Sequence, residues 1–378
     1  MNYMEVFSMI RNYNYHKQFD KSKLLYEKYY YLIPKYDVYL QNKFLNEYEI
    51  ACKKFVLKSK PRTLQIVLFD KCVFNCIMCT QKDKKYNYLL PERYMEETFH
   101  LLPYVDSVIW QGGEVFLWDN FIPVLNLTSR YKRITQSIIT NFQTITKNQI
   151  KSLSQINNLK LIISIDGSTK KLYEDIRCGS SFDRLIDNIN LLNKYRLKYK
   201  TDISLHINFV VMHENYNDIL NIISFAKKYM FESVSYIKCR ETKNYNNRIT
   251  DYDKICIDRL LNFATIKSVK DNIQVNVEYL SSILKNKNKI KNIKTDTLVC
   301  KLPFYKLLLA EDFGFAPECS CFKRFDYNNK NISMKQMWNS NLMQKYRKHV
   351  LETEDNSSIC NSNCLYYASQ HNIYGGLV

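Results

Sequence analysis

Cys72, Cys76 and Cys79 stand four and then three residues apart in the run CVFNCIMC, just behind the apolar stretch Leu64 to Phe69. Three soft thiolates packed that closely can hold three corners of a cubane iron–sulfur cluster and leave the fourth iron without a protein ligand. An iron open to a small molecule is a place for chemistry. The same thiols have two plainer readings. Buried cysteines serve as small hydrophobes, and cysteines also build zinc sites, although zinc prefers short pairs separated by a longer loop.

The chain must bring other groups to those sulfurs. From Pro61 the pattern alternates between strand and helix, with strands expected at Leu64 to Phe69, Ser107 to Gln111, Thr135 to Ile139, Lys160 to Ile165, Ile203 to Met212 and Val234 to Lys238. Helical stretches fall between them, near Pro91 to Leu102, Asn120 to Tyr131, Lys147 to Leu153, Phe182 to Tyr199 and Tyr216 to Phe231. Six such units give an α/β fold, a parallel sheet that curls into a partial (β/α)6 barrel with its functional loops at the C-terminal ends of the strands.

The polar residues sit at those ends. The cysteine triplet follows the first strand, Gly112-Gly113-Glu114 the second, Asn141 the third, Asp166-Gly167 the fourth and Cys239 the sixth. Ser164 closes the fourth strand, and His206 and Asn208 share one face of the fifth because strand side chains alternate. An Asp-Gly pair also makes an ordinary turn. Arg177 can meet a carboxylate or pair with Glu174 or Asp175. Cys239 can face a substrate and donate a hydrogen atom, whereas simple burial is the plainer reading for Cys178, Cys256 and Cys52.

Two segments flank this core. Residues 1–60 look helical and amphipathic, with Leu24, Leu25, Tyr29 and Leu32 followed, beyond Pro34, by Val38, Leu40, Phe44, Leu45 and Tyr48; they suit a docking or substrate-recognition region. The barrel and its connector occupy residues 61–294, with a further helix at 253–268 and a short strand from Ile273 to Val277. A small module fills residues 295–378. Its segments Phe304 to Ala310 and Phe315 to Pro317 suggest a hairpin, and Met334, Met337, Trp338, Leu342, Tyr346 and Val350 recur near helical spacing. So small a module gains stability from metal ligation.

The whole composition agrees with a globular chain of 378 residues, 46% hydrophobic and 24% charged. Its 12 cysteines cluster at 72–79, 300–321 and 360–364, which fits metal binding in a reducing compartment better than disulfides. No apolar run reaches the roughly 20 residues that cross a bilayer, and the first residues lack the apolar middle of a secretion signal. The expectation is a cytoplasmic protein without membrane insertion. The net charge of +18 permits an anionic partner, but the run Lys285 to Lys294 has no interleaved aromatics, so it reads as a solvated linker and not as a nucleic-acid site.

The triplet Cys72-x3-Cys76-x2-Cys79, the GGE at Gly112 to Glu114 and SIDGSTKKLYEDIRCGSSFDRLIDNI from Ser164 together resemble the radical S-adenosylmethionine (SAM) enzymes, in particular the branch of anaerobic sulfatase maturases and peptide maturases. The tail resembles that branch's SPASM or twitch extension, with Cys300, Gly314, Cys319 and then Cys360-x3-Cys364. The resemblance covers about residues 62–370. It implies a [4Fe-4S] cluster with an open iron site on Cys72, Cys76 and Cys79. S-adenosylmethionine would chelate that iron, and one-electron cleavage would give methionine and a 5'-deoxyadenosyl radical that abstracts hydrogen from the substrate.

In that setting Gly112 and Gly113 would clear room for the methionyl group, Glu114 would order the loop, and Asn141, Ser164, Arg177 and Asn208 would contact S-adenosylmethionine. Asp166 could bind substrate or cofactor, and Cys239 could quench a substrate radical. The tail implies one auxiliary [4Fe-4S] cluster on Cys300, Cys319, Cys360 and Cys364, with Cys321 either replacing one of these or lying beside them. The electron would come from a donor such as flavodoxin or ferredoxin.

Three functions follow. The first is a peptide- or protein-modifying enzyme that leaves a crosslinked, oxidised or epimerised residue. The second is a radical dehydrogenase or epimerase of a small-molecule substrate, a sugar or aminocyclitol. The third is a noncatalytic, metal-stabilised interaction protein that holds zinc.

Overall fold

Buried and half-buried side chains alternate along TQSIIT and LKLIIS, the pattern of strands that set one face against a core. The computed structural model describes residues 2–79, 88–239, 245–277, 280, 300–310 and 332–352. Its strands are β1 (Thr63–Val67), β2 (Ser107–Gln111), β3 (Thr135–Thr140), β4 (Leu159–Ser164), β5 (Ser204–Val211), β6 (Ser233–Lys238), β7 (Gln274–Val275) and β8 (Lys306–Leu309). Its helices are α1 (Tyr3–Tyr15), α2 (Phe19–Tyr29), α3 (Val38–Ala51), α4 (Glu92–Leu101), α5 (Phe121–Ser129), α6 (Lys147–Leu153), α7 (Lys170–Ile176), α8 (Phe182–Tyr199), α9 (Ile219–Lys228), α10 (Asp251–Asp271), α11 (Leu302–Tyr305), α12 (Met334–Trp338) and α13 (Asn341–Glu352). They form two compact units, one from residues 2–67, 90–108, 300–310 and 332–352, the other from residues 68–79, 88–89, 109–239, 245–277 and 280.

In the second unit the strand order is β7-β6-β5-β4-β3-β2, of which Ile109–Gln111 is the part of β2 that belongs here. The pairs from β3 to β7 are parallel. One sheet face carries Ile138, Leu161, Ile163, Leu205, Ile207, Phe209, Val234 and Tyr236, all fully buried. Helices α8 and α9 bury apolar faces of their own, Leu185, Ile189 and Leu192 on one and Ile219, Ile222 and Ile223 on the other. The opposite sheet face carries a half-buried polar row, in which Ser164, Asn208 and Ser235 are successive register partners. Caps fix the helices: Ser181 accepts from the Arg184 backbone at the start of α8, and Thr146 and Gln149 form a capping box on α6.

The first unit joins the N-terminal helices to β1, which pairs in parallel with β8. Val6, Phe7, Ile10, Ile33, Leu40 and Phe44 make an apolar cluster, with the rings of Phe7 and Phe44 edge to face at 5.1 Å. Beside it Glu47 is fully buried and accepts from Tyr305 Oη at 2.5 Å and Asn14 Nδ2 at 2.9 Å, with Arg62 Nη1 at 3.3 Å and Lys301 Nζ at 3.6 Å. Burial alone would raise the Glu47 carboxyl, but Lys301 and Arg62 hold it below its usual range.

The parallel strand core and the N-terminal helices agree with the sequence. The six strands expected between 64 and 238 are present, their ends displaced by no more than two residues. The front contains three α-helices, because the chain turns at His16 to Gln18 as well as near Pro34. The segment from Tyr216 starts as a 3-10 turn before α9. Lys306–Leu309 pairs in parallel with β1; the hairpin partner expected at 315–317 lies outside the described residues. So do Cys319, Cys321, Cys360 and Cys364.

Candidate active site

The cysteine loop is built from irregular backbone, so its shape depends on where its N–H and C=O groups find partners. On one side Leu68 N donates to Gln111 O at 2.8 Å, Gly113 N to Phe69 O at 2.7 Å and Glu114 N to Lys71 O at 2.9 Å. On the other side Asn75 N donates to Cys178 O at 2.8 Å and Ile77 N to Ile176 O at 3.0 Å. The loop is thus laced between the GGE segment and the chain following α7. A Cβ on Gly112 would lie 2.6 Å from the Phe69 carbonyl oxygen, and one on Gly113 would overlap the Lys71 carbonyl. The two glycines are required by the backbone that leads into Cys72. Cys76 is buried; Cys72 and Cys79 are half-buried.

Glu114 turns inward and is 1% exposed. It accepts from Thr140 Oγ1 at 2.7 Å, Asn141 N at 2.7 Å and Phe116 N at 3.3 Å. Burial pushes its carboxyl up to about 7 despite these donors. Its role is to clamp the end of β3 to the GGE turn. Asn141 in turn accepts from Gln143 N at 2.9 Å, while its buried Nδ2 has no partner. A buried amide hydrogen without an acceptor is a group placed for a ligand.

Asp166 is fully buried and accepts from Val210 N at 2.7 Å with one oxygen; the other lies 2.6 Å from Arg177 Nη2. Arg177 Nη1 is 3.9 Å from Cys76 Sγ. Burial works against the guanidinium charge, but Asp166 and Cys76 raise its pKa above the usual range, so it stays charged. The expected partners Glu174 and Asp175 are engaged elsewhere, with Phe182 N and Lys171 respectively.

His206, on the same strand face as Asn208, bonds Ser233 Oγ through Nδ1 at 2.7 Å and Ser204 Oγ through Nε2 at 2.9 Å. It is a satisfied buried histidine. Cys239 is buried in an apolar cluster with Ile176, Met212 and Tyr245, against which Ile77 and Met78 of the cysteine loop pack. Ser235 completes the polar row of Ser164 and Asn208; its place on the alternating face of β6 was the signal that sequence reading passed over.

Residues 66–226 match the radical SAM superfamily. That segment of the chain resembles a radical SAM domain. The chain is 26% identical over 281 residues to a cysteine-type anaerobic sulfatase-maturating enzyme of Clostridium novyi, covering 68% of this chain and 70% of that one. Over 177 residues it is 26% identical to a GTP 3',8-cyclase of Synechocystis, covering 45% of this chain and 52% of the cyclase. Its fold is similar to that of Streptococcus suis SuiB bound to S-adenosylmethionine, with a TM-score of 0.61, 18% identity and coverage of 89% and 80%. It is also similar to native anSMEcpe with bound AdoMet, with a TM-score of 0.57, 17% identity and coverage of 82% and 95%. The family match favours the catalytic readings over a noncatalytic interaction protein.

The donor set fits the radical SAM cofactors. Cys72, Cys76 and Cys79 share one loop, and the charges of Cys72 and Cys79 act on Cys76, so the three sulfurs lie in one electrostatic neighbourhood. Burial pushes the Cys76 thiol up to about 11, a preference that metal coordination reverses. Among the described residues no three His, Cys, Asp or Glu side chains converge on a single ion. A cubane makes a different demand, since each thiolate takes a separate iron corner. Cys300, from the expected auxiliary set, is half-buried ahead of α11. Among the described residues no helix is long and apolar enough to cross a membrane.

Proposed function

We propose that this chain is a radical SAM enzyme that modifies a peptide, with Cys72, Cys76 and Cys79 ligating a [4Fe-4S] cluster inside a partial (β/α)6 barrel. The observation that carries this reading is the lacing of the cysteine loop between Gly113–Glu114 and Ile176–Cys178, which sets it beside the Glu114–Asn141 clamp at the end of β3 and beside Arg177. Bound there, the cluster and AdoMet supply a carbon-centred radical able to remove a substrate hydrogen. Asn141 Nδ2 and the row Ser164, Asn208 and Ser235 orient AdoMet through hydrogen bonds. Glu114 keeps Asn141 in place, and Asp166 acts through Arg177 and Val210 rather than on the substrate directly.

A peptide substrate is supported by the fold's likeness to SuiB bound to precursor peptide SuiA, at a TM-score of 0.62, 17% identity and coverage of 86% and 74%. One auxiliary [4Fe-4S] cluster on Cys300, Cys319, Cys360 and Cys364, with Cys321 alongside, and a flavodoxin or ferredoxin as electron donor complete the proposal. Cys239 is its candidate hydrogen-atom donor. The test is anaerobic turnover of the reconstituted full chain with AdoMet, reductant and a peptide library, read by mass spectrometry and by amino-acid chirality. Reductant-dependent modification of a peptide supports the reading; AdoMet cleavage with every peptide unchanged and a sugar oxidised or epimerised instead would overturn it.

A further inference from the structure

We propose that Arg177, anchored by Asp166, sets the reduction potential of the radical-generating cluster by holding a fixed positive charge on the sulfur of Cys76. The inference rests on the reading of Cys72, Cys76 and Cys79 as cluster ligands. Sequence reasoning placed Arg177 against AdoMet; in the structure its Nη1 also lies beside Cys76, a cluster ligand in the proposed function.

Three observations carry it. First, the hydrogen bonds Asn75 N to Cys178 O and Ile77 N to Ile176 O set Cys76 directly across from Arg177, so the pairing is fixed by backbone and not by a flexible side chain alone. Second, the guanidinium lies between the Cys76 sulfur and the Asp166 carboxylate, with Nη1 3.9 Å from Cys76 Sγ and Nη2 2.6 Å from Asp166 Oδ2. Third, Arg177 is 7% exposed and Asp166 fully buried, so solvent screens the charge little. Val210 N holds Asp166 from the opposite side, which leaves the carboxylate no freedom to follow a displaced arginine.

Reducing the cluster adds one electron, from an external one-electron donor, and that charge is shared by the iron and its sulfur ligands. A nearby cation and an N–H directed at a ligand sulfur stabilise the reduced form more than the oxidised form, and so raise the potential. Asp166 opposes part of this. Arg177 and Asp166 therefore act in opposite directions on the same quantity. Arg177 is a positioning residue in this account, since it acts through Cys76.

The experiment is an EPR-monitored redox titration of the reconstituted full-length protein without AdoMet, so that cofactor binding does not enter. Iron and sulfide are assayed on each sample. Arg177→Gln should lower the midpoint potential, Arg177→Lys should lower it less, and Asp166→Asn should raise it. Unchanged potentials in Arg177→Lys and Asp166→Asn at full iron content would overturn the proposal, as would shifts of the same sign in both. If Arg177→Gln fails to load iron, the opposed shifts of the other two variants decide the matter. A wild-type protein that forms no cluster at all would instead overturn the ligand assignment itself.

Discussion

The carboxylate of Glu114 accepts the backbone N–H of Asn141 at 2.7 Å, joining the turn after β2 to the end of β3. Thr140 Oγ1 and Phe116 N donate to the same carboxylate. Glu114→Ala leaves three buried donors without an acceptor and should cost about 3 kcal/mol. Urea unfolding measures that cost, and calorimetry should show weaker AdoMet binding, because Asn141 loses its anchor. Glu114→Gln should lose less.

Gly113→Ala should also be damaging, because the added methyl overlaps the Lys71 carbonyl and the neighbour is backbone. Overpacking of this kind costs about 1–3 kcal/mol in general. Lys71 directly precedes Cys72, so iron content after reconstitution should fall together with stability. Normal iron content and an unchanged urea midpoint would refute the backbone account of the GGE glycines.

The alternating order of strands and helices was legible because apolar periodicity repeats six times between residues 64 and 238 and a candidate site group follows five of the strands. Lys170–Ile176 escaped notice as a helix, since only two turns separate the Asp166-Gly167 turn from the Arg177–Gly179 bend. Contacts between distant positions were not legible. Arg177 meets Cys76 across 101 residues, and the Glu47 carboxylate meets Tyr305 across 258. Periodicity reports which face a residue takes, not which residue it faces. The same limit hid the approach of the Phe69 and Lys71 backbone to Gly112 and Gly113.

His206 makes stability depend on pH. Burial, aided by the charge of Lys160, lowers its pKa to about 4 from an ordinary 6.5. Between those values the unfolded chain binds the proton and the folded chain does not, so the stabilisation is present above 6.5 and lost as pH falls toward 4. The loss is about 3 kcal/mol. Urea unfolding of wild type and His206→Gln at several pH values should show a difference that shrinks across that window as the wild type loses its advantage. A pH-independent difference would contradict the buried neutral imidazole.

Glu47→Leu removes the carboxylate between Lys301 and Arg62, both nearly buried. Arg62 keeps Asp106 at 2.9 Å, whereas Lys301 loses its carboxylate partner, which should cost about 3–5 kcal/mol. Thermal unfolding should show it, and the double variant Glu47→Leu with Lys301→Met should recover a measurable part. Additive losses would mean that the two charges are not coupled.

The central claim is that the thiols of Cys72, Cys76 and Cys79 hold the cluster from which AdoMet is cleaved. Its most direct test is 5'-deoxyadenosine release by the anaerobically reconstituted, reduced protein, compared with Cys76→Ala. The account predicts release by the wild type and none by Cys76→Ala even where auxiliary iron is retained. Undiminished release by Cys76→Ala, or none from fully reconstituted wild type, would contradict it.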